Sequence, residues 1–296
     1  MSENNLSENI KEFPNREPNQ AKPNILLSLV SGLMYFGLFF FAQYVITFVL
    51  MIYYGTAKVA EDAANGVSFN AEELTAYLEA LIYQKINLVF ILYVSLFVFI
   101  LIVFFAIRKK SFWKETRIVP FPAKYIPAVL VLSVGLFFFL NAILNLMPQS
   151  WIADYSESSS FITEGALWVS LITKGLLAPL SEELTFRGLM LSRFNRALPK
   201  WVGILISSVL FGLVHGQALW FFYAMVLGII LCLIAIRTNS ILSTFIIHSL
   251  FNLGGVFISY VELPITLPII IAAIIVGTIL LALGFCLLYH KKTVAA

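Results

Sequence analysis

Apolar runs of about 20 residues or more, parted by short charged segments, recur along this chain between Asn24 and Tyr289. A run of that length crosses a hydrocarbon core of roughly 30 Å as a helix. Of the 296 residues, 60% are hydrophobic and only 12% charged, and the mean hydropathy is +0.92, which lies outside the range of soluble domains. The fold class expected is therefore all-α: a polytopic transmembrane helical bundle of about eight spans.

The expected spans are Asn24 to Tyr54, Ile86 to Ile107, Tyr125 to Met147, Phe161 to Leu191, Trp201 to Val214, Gln217 to Ile236, Ile241 to Tyr260 and Pro264 to Tyr289. Residues 1–23 are polar, contain no apolar core of a signal peptide, and read as a disordered cytoplasmic tail. Residues 24–160 form the N-terminal membrane helices, with an outer loop at 55–85. Within that loop Asn70, followed by Glu73, marks a helix start before Leu74, Tyr77, Leu78 and Leu81, whose stripe suits either the interface or the bundle. Residues 161–260 form a core, and 261–296 a final span with a cytoplasmic C-terminus.

Charge sets the expected orientation. The segment from Arg108 to Lys124 is the most basic in the chain, and Arg193, Arg196, Lys200 and Arg237 flank later spans on the same side. Lys and Arg near span ends mark the cytoplasmic face, so both termini are expected inside. The loop Pro148 to Ser160, whose charges are Asp154 and Glu157, is expected outside. A formal charge of +3 spread over such flanks argues against a nucleic-acid partner and leaves membrane lipid as the general one. Cys232 and Cys286 lie in apolar runs, without metal spacing or a disulfide pattern.

Against this background the stretch Ser181-Glu182-Glu183-Leu184-Thr185-Phe186-Arg187-Gly188 is anomalous, because it puts three charges inside a span. Each costs about 2.5 to 3.5 kcal/mol near the membrane centre, so such residues face a protein interior or a wet cavity. Glu183 and Arg187 are four apart, acid first, the favourable order for an ion pair on one helix face. Glu182 points about 100° away and is left as a base. Lys174 and Glu164, nearer the outer face, read as anchors.

Two of the three histidines also fall inside spans. His215 follows Phe211 by one turn, and His248 shares a helix face with Asn252. Counted from the basic corners, Glu182, His215 and His248 lie roughly 16 to 23 Å deep. A lone His or Asn in a span ordinarily bridges helices. Three such groups converging with Glu182 point instead to an acid–base site. Asp62 and Asp154 both lie in loops, which excludes an intramembrane aspartyl dyad, and no Gly-x-Ser-x-Gly turn, Walker loop or His-Glu-x-x-His helix occurs.

Three ordered stretches carry a resemblance: Ala178 to Gly188, Ser207 to Gly216, and His248-Ser249-Leu250-Phe251-Asn252. Together they resemble the three motifs of the CAAX protease and bacteriocin-processing (CPBP, or Abi) family of intramembrane endopeptidases. The resemblance covers about Phe161 to Asn252 and leaves the N-terminal third unmatched. It implies a CAAX-protease-like membrane fold and hydrolysis of peptide bonds in hydrophobic, membrane-associated or lipidated peptides. By analogy Glu182 with His215 activates a water, His248 and Asn252 stabilise the oxyanion, and Glu183 with Arg187 holds the motif helix in register. Relatives described as metalloproteases leave a divalent metal such as zinc as an alternative, on Glu182, His215 and His248. No cofactor is the preferred reading, because the ligand spacing is not paired and Asn252 suits an oxyanion better. The competing function is a non-catalytic membrane regulator or bacteriocin self-immunity protein on the same fold. By the same resemblance the expected location is a bacterial plasma membrane, with the site reached from the cytoplasm and laterally from lipid.

Overall fold

The computed structural model describes residues 24–261 and 265–290. The expected tail at 1–23, Glu262 to Pro264 and the last residues, 291–296, lie outside the described residues. Every regular element described is helical. In chain order they are α1 (Ile25–Ala64), α2 (Ala71–Gln84), α3 (Ile86–Ile107), α4 (Phe112–Glu115), α5 (Ile126–Leu144), α6 (Gln149–Ser159), α7 (Leu167–Ile172), α8 (Ala178–Glu183), α9 (Leu191–Ala197), α10 (Lys200–Leu213), α11 (Ala218–Thr238), α12 (Ile241–Ser259) and α13 (Leu267–Tyr289). Short 3-10 turns precede α5 and α7.

Six helices among the described residues are long and apolar enough to cross a membrane, and the chain is an integral membrane protein. The expected fourth and fifth spans are the two that fall short as regular α-helix. The fourth runs unbroken from 167 to 197, but two π-helical turns, Thr173–Leu177 and Leu184–Met190, divide it into α7, α8 and α9. Pro179 explains the first turn. It has no N–H to return to the carbonyl four residues back, and its ring crowds that carbonyl, so the preceding turn widens. The fifth, α10, has only 14 residues and ends within the bundle.

The segment 55–85, expected as an outer loop, is mostly helix. α1 has 40 residues, about 60 Å at roughly 1.5 Å per residue, and continues through Gly55 to Ala64. Residues 56–64 are mainly good helix formers, joined by a Lys58–Asp62 ion pair of 2.6 Å at i,i+4 spacing. The Asn70 side chain caps α2 as expected, accepting from the backbone of Glu72 and Glu73. Leu78 of α2 is buried against α1 beside Gly55, so the stripe packs on the extended helix. The loop from Pro148 is likewise helical, as α6.

The two ends of the bundle differ in chemistry. At one end the basic segments interlock: Arg193 Nη2 lies 2.7 Å from Glu115 Oε2, Arg117 Nη1 donates to Asn239 at 2.9 Å, and Arg237 Nε donates to the Leu288 carbonyl. Ser240 Oγ and the Ile241 amide donate to the carbonyls of Val119 and Arg117. At the other end Tyr83 donates to Ser160, Asn87 to the Glu164 carbonyl, and Tyr260 to the carbonyls of Thr163 and Gly165. The alternation of ends read from the charge pattern is the alternation observed. α13 lies along α5, outside the helices that hold the polar motifs.

Candidate active site

Glu182 and Glu183 end α8, immediately before the second π turn. Glu183 and Arg187 are both fully buried, with Arg187 Nη1 2.6 Å from Glu183 Oε1. The guanidinium also lies over the Phe211 ring, 4.3 Å from its centroid, a cation–π contact strengthened by the absence of water. Glu183 Oε1 accepts a second bond from His248 Nδ1 at 2.9 Å. One buried carboxylate oxygen thus joins the first and third motifs. The expected Glu183–Arg187 pair is present, and it orients a histidine as well.

With Nδ1 engaged, His248 turns Nε2 toward Glu182, 3.5 Å from Oε2. The Glu182 side chain keeps 16% of its surface exposed, whereas that of Glu183 keeps none, so the two adjacent carboxylates occupy different surroundings. His215 Nδ1 lies 2.8 Å from the Phe211 carbonyl. A carbonyl only accepts, so Nδ1 carries the proton and Nε2 of the neutral ring is an acceptor. Phe211 stands between the imidazoles, 5.1 Å from His215 and 5.7 Å from His248 by centroid.

The π turns knit these motifs together. In such turns the carbonyls leave the regular i→i−4 ladder. The Lys174 carbonyl in the first accepts Asn252 Nδ2 at 3.1 Å, and the Phe186 carbonyl in the second accepts Ser207 Oγ at 3.2 Å. Asn252 is thereby fixed with one amide hydrogen still unused. Gly216 follows His215 at φ +73°, the left-handed conformation that favours glycine, and turns the chain into α11. Gln217 then caps α11 by accepting from the Trp220 amide at 2.8 Å, which brings Trp220 within 5.1 Å of the His215 ring.

Glu182, His215, His248 and Asn252 all line one cavity of about 460 Å³. Its walls are more apolar than polar, with many aromatic rings, and its volume lies in the range of 300–1,000 Å³ common for ligand cavities. Tyr93, Tyr155, Tyr223 and Lys174 also reach it, and sequence reading missed all four. The tyrosines sit in aromatic-rich runs where nothing separates a lining residue from a packing one. Lys174, expected as an anchor, is buried and donates through Nζ to the carbonyls of Ile162 and Glu164 and to Ser170 Oγ.

The lining also gives the cavity a direction along the bundle. Among the described residues none from 94–140, 183–210 or 228–247, the parts of each helix nearest the basic end, lines it. It extends instead toward α6 and the last turn of α12, away from the basic corners. As for metal, no three His, Cys, Asp or Glu side chains among the described residues come together as a set that could hold an ion. No chemical step below passes through a metal.

Comparison with known proteins finds similarity over the same part of the chain. Residues 164–254 match the family model described as type II CAAX prenyl endopeptidase Rce1-like. The UPF0177 protein YxdF of Lactococcus lactis is 39% identical over 82 residues, 27% of this chain and 45% of the relative. A protein of Escherichia coli described as an uncharacterized 24.3 kDa protein is 35% identical over 85 residues, 27% of this chain and 39% of the relative. The chain thus spans less than half the length of these curated relatives. No solved structure matches it. The matched segment holds all three polar motifs and every side chain that joins Glu182 to Asn252. Over residues 164–254 the chain is similar to type II CAAX prenyl endopeptidase Rce1-like proteins, in the segment that carries its three motifs.

Proposed function

We propose that the chain is an intramembrane endopeptidase that hydrolyses peptide bonds of hydrophobic, membrane-associated or lipidated peptides in a bacterial plasma membrane. The observation that carries this reading is the meeting of Glu182, His215, His248 and Asn252 in one largely apolar cavity.

Glu182 takes a proton from a water whose other hydrogen is held by His215 Nε2, the acceptor left by the Phe211 bond. The water oxygen attacks the scissile carbonyl carbon, and the carbonyl electron pair moves onto oxygen. Asn252 donates its second amide hydrogen to that oxyanion. His248 donates from Nε2 when its ring carries both protons, with Glu183 bound to the other nitrogen. Collapse of the tetrahedral species breaks the C–N bond, and Glu182 returns its proton to the leaving amine. Donors aimed at a developing oxyanion in such a site are commonly worth about 3 to 4 kcal/mol each. The aromatic walls suit apolar side chains or a lipid group on the substrate.

The test compares peptide termini by mass spectrometry from membranes and medium of cells carrying wild type, Glu182→Gln or no copy. New termini are expected with wild type only. A general base contributes about 10²- to 10⁴-fold, so Glu182→Gln falls to background while its folded level holds. Identical termini from wild type and Glu182→Gln, with both restoring a deletion phenotype, would replace this reading with the non-catalytic regulator or immunity protein.

A further inference from the structure

The position of the cavity along the membrane normal bears on which substrates the site meets. Glu182 and His248 form its floor on the basic side, because the lining residues contributed by each helix lie at that depth or farther from the basic end. Along α11, Tyr223 is about 21 Å from Arg237, and along α5, Asn141 is about 24 Å from Tyr125, at roughly 1.5 Å per residue. Ser259, at the far end of α12 and also on the wall, is about 27 Å from Ile241, whose amide is bonded within the basic cluster. With a core of roughly 30 Å, the space above Glu182 occupies the half of the membrane away from the basic corners.

Charge assigns a side to that half. Ten of the described lysines and arginines stand at the basic end, in 108–124, in 193–200 and at Arg237. Among the described residues the opposite end has only Lys58, Lys85 and the buried Lys174 as lysines or arginines, beside Glu61, Asp62, Asp154, Glu157 and Glu164. An excess of Lys and Arg within reach of span ends holds that end in the cytoplasm. α6 partly covers the other end, with Tyr155 against Trp220 at 5.5 Å.

We propose that peptides enter from the non-cytoplasmic face, so that the substrates are exported segments or segments seated in the outer leaflet. Translocation or membrane insertion must then supply the substrate before cleavage, and the fragments leave on the outer side. This inference rests on the proteolytic reading only for the word substrate; the side of access stands apart from it.

Gly255 provides the probe. It lies on the cavity wall one turn beyond Asn252, and a Cβ built there meets nothing within 4 Å, so cysteine fits. Gly255→Cys and, as a marker of the basic end, Lys114→Cys are made in full-length chains carrying Cys286→Ser, which leaves only the buried Cys232. Both are treated with a charged, membrane-impermeant maleimide in intact cells and in inverted vesicles. Gly255→Cys is expected to react in intact cells and Lys114→Cys in inverted vesicles only. Reaction of Gly255→Cys from the same face as Lys114→Cys, from the vesicle side alone, or from neither side overturns the proposal. No turnover is needed for labelling, so failure here leaves proteolysis standing, and an unchanged Glu182→Gln peptide profile leaves the side of access standing.

Discussion

Arg187→Ala tests whether the buried ion pair supports the site as a charge or merely as volume. The substitution removes the 2.6 Å bond to Glu183 and the guanidinium over Phe211 together. It strands a carboxylate with no solvent exposure that keeps its bond from His248 but has lost its counter-ion. Breaking a buried pair from one side costs about 3 to 5 kcal/mol, because the desolvated charge that remains has lost its counter-ion. At about 2 to 4 °C per kcal/mol for a chain of this size class, the thermal midpoint should fall by roughly 6 to 20 °C. The assay is thermal unfolding of detergent-purified protein followed by tryptophan fluorescence, with monodispersity after heating as the check. The double variant Glu183→Leu with Arg187→Leu separates charge from volume. Replacing both partners by apolar groups is often neutral or better, so stability should largely return. Activity should not, because His248 then loses the acceptor at Nδ1. Arg187→Ala within about 1 kcal/mol of wild type, or a double variant as unstable as the single one, would refute the reasoning.

Three further outcomes follow from the same geometry. Asn252→Ala should lower kcat by about 10²- to 10³-fold with little change in KM, as expected for a donor acting on the oxyanion, and steady-state kinetics on an identified substrate decides it. Gly188→Ala should destabilise by about 1 to 3 kcal/mol, seen in the same unfolding assay, since its Cβ would sit 2.5 Å from the Thr116 carbonyl oxygen. At the basic end, partial burial pushes the Glu115 carboxyl up, but the Arg193 guanidinium, helped by Lys110, outweighs it and holds the group below its ordinary value. Its contribution is therefore present above the unfolded value of about 4.3 and is lost as pH falls through the lower folded value. Glu115→Gln should flatten that acid limb of the unfolding curve, and an unchanged limb would show that other carboxylates set it.

Much of the site was legible because membrane insertion penalises charge. Glu182, Glu183 and Arg187 stand out in a run that otherwise has almost no ionisable groups, and i,i+4 spacing alone names Glu183 as the partner of Arg187. The same spacing put His248 and Asn252 on one face. It could not show that Glu183 Oε1 also holds His248, because that bond joins residues 65 apart. The cavity tyrosines escaped notice for a different reason. A phenol among phenylalanines carries no charge penalty, so its sequence neighbourhood does not tell wall from core.

The sequence by itself determined the helical class, the alternation of the membrane runs, and the identity of the polar groups, all of which follow from transfer free energies acting locally along the chain. Tertiary structure decided how long the first helix extends, where the motif helix widens, and which way the cavity faces. Those properties depend on close approach between distant segments: Leu78 on Gly55, Asn252 on the Lys174 carbonyl, and α6 over the mouth. Counting depth from the basic corners placed the candidate groups near mid-membrane but carried no information on which way their cavity opens. Depth is a property of one helix, whereas the direction of an opening is set by what the neighbouring helices fill. On the basic side the buried ion pair, Phe211 and the interlocked arginines occupy that space.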